Sequence, residues 1–518
     1  MKKSLAILLA LIMMLTMVSA AFAEGGAGES GTAEAKIGDT MYSTFDEAAA
    51  AAKNGDTIEL LADCESKNGI GICGTKLTVK GNNHTLKMNS RGIYVVKSDN
   101  VPGELTFENC SVELAPQNGT PKVRGEEYGW AAVVINYDCV LSFNNCTLVN
   151  IEPAGSVNTG VYYHEGSKVN LTNTVMKVSG FSGNAFSADV KDEGKPYTSE
   201  LNVLEKSKLT VSDSRAGITA AMKITVENSL LNNSCNSGNA SNGADYILKN
   251  AMVDVSKNGS HGMSARNITI INKSTVTCNE NGFYGITAYG EVSIDGTSSV
   301  TANGNATKEK CGGVRFTQSA KAVIESDAVV EITQNHRNGL ENYGTCTFKE
   351  GAKLTVMKNS EKNNGGGVYN EGTLVLPQNA KIYNNHAAKA GDDIYNAEGA
   401  SITFGNVGSN WILDDCNHTI NGWYDDDAEE RRWNSTYDGK PCIDGRADHA
   451  ARVSAGKIEG MRALKAAHDA QTTPPEPTPT PYTPHHHYDP VPVVVVVPPK
   501  TGDMPLWYGI ARFLNLVK

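Results

Sequence analysis

From residue 268 onward, apolar and polar residues alternate in short runs that return at a near-constant interval. "ITIINKSTVTCNEN" (268–281) comes back as "VSIDGTSSVTANGN" (292–305), "AVIESDAVVEITQN" (322–335) and "CTFKEGAKLTVMKN" (346–359). "LVLPQNAKIYNN" (374–385) is the same unit two residues shorter. Alternation at period two predicts strands with one buried face, and recurrence at a fixed interval predicts a stack of similar coils. Taking the second apolar residue of each unit as a station gives Val79, Phe107, Phe143, Leu171, Val203, Val226, Leu248, Ile270, Ile294, Ile324, Phe348, Leu376 and Phe404. The shortest steps cluster at 22 to 24 residues, and longer ones read as loops inserted into single turns.

Two further columns keep the same register. A small residue follows each station by three or four positions, as in Cys110, Cys146, Thr174, Ser207, Ser229, Ala251, Ser274 and Ala352, and an aliphatic residue follows two later. This predicts strands whose inward residues alternate between a cramped bend and a filled core. An asparagine column follows: Asn258, Asn281, Asn305, Asn335, Asn359 and Asn385. Asparagine tolerates the left-handed backbone and bonds its own turn, which predicts a bend at the same place in each coil. No helical periodicity separates the strands. The fold expected is all-β, a parallel β-helix, right-handed by the usual rule for parallel crossovers. At about 4.8 Å per coil, thirteen stations span roughly 58 Å.

The flanks divide the chain further. "MKKSLAILLALIMMLTMVSAAFA" (1–23) has the layout of a secretory signal cleaved after Ala23. Residues 24–56 form a leader and helical cap, with Ser43 or Thr44 starting an Ala-rich helix that stops at Asn54-Gly55. The β-helix is expected over 57–405 and a second cap over 406–472, where Trp411, Trp423 and Trp433 cluster. Residues 473–497 are a proline-rich stalk. In 498–518, "PPKTGD" precedes a short apolar tail.

Net charge is −11 and becomes more negative once Lys2 and Lys3 leave with the signal, which argues against nucleic acid or anionic lipid as partner. Eleven cysteines are scattered without metal-type spacing. Cys110 and Cys146 fall in consecutive coils and read as buried thiols in a ladder, while Cys416 and Cys442 are placed to bridge. No cofactor is implied. Asp425, Asp426 and Asp427 suggest calcium, though these acids lack the spacing of a calcium loop.

The chain resembles the right-handed β-helix surface proteins of Gram-positive bacteria, through its helical cap, its "GGGVYNEG"-type coils and its tail. "PPKTGD" is similar to the Leu-Pro-x-Thr-Gly sorting signal: Pro499, Thr501 and Gly502 match, while Pro498 stands in place of leucine. The resemblance implies cleavage by sortase between Thr501 and Gly502, and attachment to peptidoglycan. It also implies a displayed, monomeric adhesin or glycan-binding module rather than an enzyme, with a polysaccharide or host glycan as ligand.

The same rod carries pectate lyases and polygalacturonases, so an enzyme acting on uronate-rich polysaccharide is the competing reading. The polygalacturonase order of Asn-Thr-Asp, Asp pair and Gly-His-Gly is absent, since "SHG" (260–262) precedes Asp392 and Asp393. No catalytic residue is assigned. Candidate ligand contacts are His336, Arg337 and Glu341, which form the one suggestive cluster, and His386, Asp392 and Asp393, which align with the turn residues of earlier coils. Asp392 and Asp393 are read first as a solvated turn. The insertions at 111–140, 176–200 and 305–313 are the expected places for contacts.

Overall fold

The computed structural model describes residues 33–404, apart from 190–196, 220, 309–310, 378–379, 384, 388–392 and 398, together with two short strands, Gly422–Tyr424 and Trp433–Asn434. The chain winds as a parallel β-solenoid of about 12 turns with three faces. The first face runs from Thr57–Leu60 through Lys76–Lys80 and Glu104–Glu108 to Ser401–Phe404. The second face is a thirteen-stranded sheet from Cys64–Ser66 to Lys381–Tyr383. The third begins at Ile70–Cys73 and reaches Ile394–Asn396. Met263–Ile271 is one long strand that belongs to two faces: Met263–Ala265 pairs with the third, Ile268–Ile270 with the first.

The stations fall in register. Val79, Phe107, Phe143, Leu171, Val203, Val226, Leu248, Ile270, Ile294, Ile324 and Phe348 are successive partners on the first face, and Leu376 pairs with Phe404. The step from Phe348 to Leu376 continues the pairing of Thr347 with Val375. Stacking places like side chains above one another, so Phe107 and Phe143 lie face to face, 5.2 Å apart and 9° from parallel. Together the inward residues make one continuous core along the rod.

Each corner has its own physics. At the corner after the first face, the buried hydroxyls of the small column receive backbone N–H groups from the coil before: Cys146 donates to Thr174 Oγ1, Thr174 to Ser207 Oγ and Ser207 to Ser229 Oγ, each at 3.1 Å. Cys110 and Cys146 occupy the same ladder as thiols, with sulfurs 3.7 Å apart. Hydrogen bonding to Cys146, and then burial, pushes the Cys110 thiol above its ordinary value.

The asparagine column is a buried ladder. The Asn258 N–H donates to Asn281 Oδ1, Asn281 to Asn305, Asn305 to Asn335, Asn335 to Asn359 and Asn359 to Asn385, at 2.8–3.1 Å. The expected left-handed conformation lies one residue earlier, at Lys257, Glu280, Gly304, Gln334 and Lys358 (φ 55° to 63°). The bend therefore comes from the preceding residue, and the asparagine side chain satisfies backbone groups that the bend buries.

At the N-terminal end, the helix Phe45–Ala51 packs Phe45 and Ala48 against the first strands, and Thr44 is its N-cap, accepting the Glu47 N–H. The signal, the stalk, Pro499, Thr501 and Gly502, Cys416 and Cys442, and Asp425 to Asp427 all lie outside the described residues. Among the described residues no helix is long and apolar enough to cross a membrane.

Candidate functional site

On the third face, side chains alternate between the core and the exterior. Register pairing places Ser264, Thr287, Arg315, Glu341, Tyr369 and Tyr395 in one outward column, one residue per coil. Coils 284–369 surround part of this column with a cleft of about 300 Å³, lined among others by Tyr284, Cys311, Arg337, Glu341, Glu361 and Tyr369.

Glu341 is the centre of the cleft and is only 5% exposed. Its carboxylate accepts from the hydroxyls of Tyr284 (2.7 Å) and Tyr343 (3.4 Å). Burial pushes its carboxyl above the ordinary range, because desolvation outweighs those hydrogen bonds and the attraction of Arg315. The Arg315 guanidinium lies over the Tyr343 ring at 4.8 Å and donates to Tyr284 Oη at 3.4 Å. A second buried carboxylate, Glu361, accepts from Arg337 Nε (3.1 Å), from the Asn363 N–H (2.9 Å) and from the Asn338 N–H (3.3 Å). Tyr369 stacks on Tyr395 at 5.3 Å, which extends an aromatic stripe along the axis.

Three buried polar atoms cluster at the Tyr284 end with no protein partner: Thr287 Oγ1, Arg315 Nε and His261 Nδ1. His261 stacks on Tyr284 at 5.8 Å, and burial lowers its proton affinity, with Arg315 adding to the effect.

The candidate residues read from sequence separate into three places. Arg337 and Glu341 share the cleft. His336 is exposed and lines a different, shallow groove with Lys257, Glu280 and Gln334. His386 is exposed on a short strand paired to Ser360, as the alignment of turns implies. Asp392 lies outside the described residues. Asp393, expected in a solvated turn, is fully buried and ends the asparagine ladder, its Oδ1 accepting from Asn385 N–H (3.2 Å) and Nδ2 (2.8 Å).

Sequence reasoning missed Glu361, Arg315 and the tyrosines. For Arg315 and Tyr369 the aligned turns carried a signal: in "GITAYG", "GVRFTQ", "GLENYG" and "GVYNEG" the third residue is the outward one. Among the described residues no group of three or more His, Cys, Asp or Glu is arranged to hold a metal ion. Comparison of the chain with family models, curated proteins and solved structures finds no match.

Proposed function

We propose that the protein is a secreted, cell-wall-anchored β-solenoid that displays its third face to bind neutral polysaccharide without cleaving it. The observation that carries this reading is the cleft, whose lining is mainly carboxylate, amide and guanidinium groups, with the half-buried rings of Tyr343 and Tyr369 at its edge. Sugars present the complementary combination, an apolar ring face with a rim of hydroxyls that donate and accept. The net charge of −11 disfavours an acidic chain, and in the cleft Arg337 is already paired with Glu361. Export is supported by residues 1–23, and anchoring through sortase to peptidoglycan by Pro499, Thr501 and Gly502. The test is retention of the purified protein on immobilised neutral and uronate-rich polysaccharides. Retention on a neutral glycan is expected, and passage through every column would refute the reading.

A hydrolase reading rests on a specific observation. Glu341 is held toward its protonated form by burial, while Glu361 pairs with Arg337. Two carboxyl groups in unlike environments suit an acid and a base. In that case new reducing ends appear in the bound glycan and vanish in Glu341→Gln and Glu361→Gln. Binding without new ends excludes it.

A further inference from the structure

The outward column of the third face continues toward the N-terminal end as Tyr94, Val134, Tyr162, Ser187, Thr219 and Asn242. Ser264 follows, its hydroxyl 3.3 Å from Asn242 Oδ1. Where the insertion after Leu114 folds back onto this face, a second group of rings gathers. Trp130 meets Tyr162 edge to face at 4.8 Å and Tyr128 at 5.7 Å. Tyr137 lies against His164 at 4.9 Å. A relay of hydrogen bonds ties His164 and Tyr128 to Asp189: Asp189 Oδ2 and His164 Nδ1 are 2.9 Å apart, and His164 Nε2 and Tyr128 Oη are 3.1 Å apart. Asp189 also accepts from the Tyr162 hydroxyl.

Trp130 and Tyr137 remain 37% and 47% exposed, although the insertion buries its neighbour Tyr94 completely. The relay fixes Tyr128, Tyr162 and His164, and the exposed Trp130 and Tyr137 rest against these rings. Locked aromatic rings with polar groups at their edge meet the geometric need of a binding platform, since little side-chain freedom remains to be lost.

We infer that Trp130, Tyr137 and Tyr162 form a second glycan-contact site, and that one extended neutral polysaccharide lying along the third face engages both this platform and the Glu341 cleft. This rests on the proposed glycan-binding role of the cleft. The two sites share one column, seven coils apart from Tyr162 to Glu341, or about 34 Å at about 4.8 Å per coil. Between them the column is polar: Ser187, Thr219 and Asn242 are partly or fully open to solvent, while Ser264 and Thr287 lie buried beneath the surface. A chain long enough to reach both sites gains from the effective concentration that the first contact creates, whereas a short oligosaccharide does not.

The experiment compares the affinity of the purified protein for a retained neutral polysaccharide and for its short oligosaccharides, in wild type, Trp130→Ala and Tyr137→Ala. The platform predicts that the polymer binds at least tenfold more tightly per chain than a trimer. Both variants should lose most of that advantage. Tyr137, nearly half exposed, serves as the variant with little folding risk. Equal affinity for polymer and trimer, or a polymer affinity unchanged in both variants, overturns the platform and leaves the cleft reading intact. Absence of binding to any neutral glycan overturns both.

Discussion

Asn335 shows how much one side chain does in this fold. Its Oδ1 accepts from both the backbone N–H and the side-chain Nδ2 of Asn305, and its own Nδ2 donates to Ala302 O and Asn359 Oδ1. Asn335→Ala leaves buried backbone groups without partners, a cost of about 1–3 kcal/mol for each group stranded. Urea unfolding should place the variant lower by at least that amount, and an unchanged midpoint would refute the ladder's role. Glu341 gives a residue-scale prediction of opposite kind. Its raised folded pKa means that the native state holds a proton which the unfolded state has released, so stability falls as pH rises from the ordinary carboxylate value through the raised one. Tyr284, Tyr343, Arg315 and Glu361 all act on this titration. Glu341→Gln should remove that slope, so thermal melting of wild type and variant should diverge as pH rises through this window. Parallel melting curves would contradict the assignment.

At the scale of elements, the strand columns were legible in the sequence because inward positions repeat a physical requirement. Phe107 and Phe143 must both fill the same level of the core, and register pairing stacks them. Phe143→Ala should therefore cost about 3–5 kcal/mol, the range for large cavities in a close-packed core, read from the denaturation midpoint. A small shift would mean that the coils collapse to fill the gap. Outward positions follow no such requirement. Thr287, Arg315, Glu341, Tyr369 and Tyr395 share a column but not a chemistry, so only Glu341, beside the more conspicuous Arg337, stood out. Glu361 was hidden because it belongs to the corner after the asparagine ladder and reaches the cleft from a neighbouring coil. His336 and His386 attracted notice as titratable residues in aligned turns, but the corner that repeats them points them away from the cleft. The insertion at 111–140 was expected to carry contacts, and its Trp130 and Tyr137 do stand exposed on the third face. The insertion at 305–313 brings Cys311 to the cleft.

For the whole molecule, the solenoid turns a one-dimensional repeat into a rigid surface on which sites separated by many coils stay aligned. The core runs through all the coils without interruption, so the third face has a fixed floor against which Glu341, Tyr369 and Trp130 can be held. That rigidity suits recognition of an extended ligand more than the closure of an active site, and it places the cleft at the centre of the account. The most direct measurement is a calorimetric titration of the best-retained neutral polysaccharide into wild-type protein, Tyr369→Ala and Arg337→Met. Both variants should bind at least tenfold more weakly, a loss of about 1.4 kcal/mol or more. Equal affinity in all three proteins would show that the glycan is held somewhere other than the cleft, and would refute its role in binding.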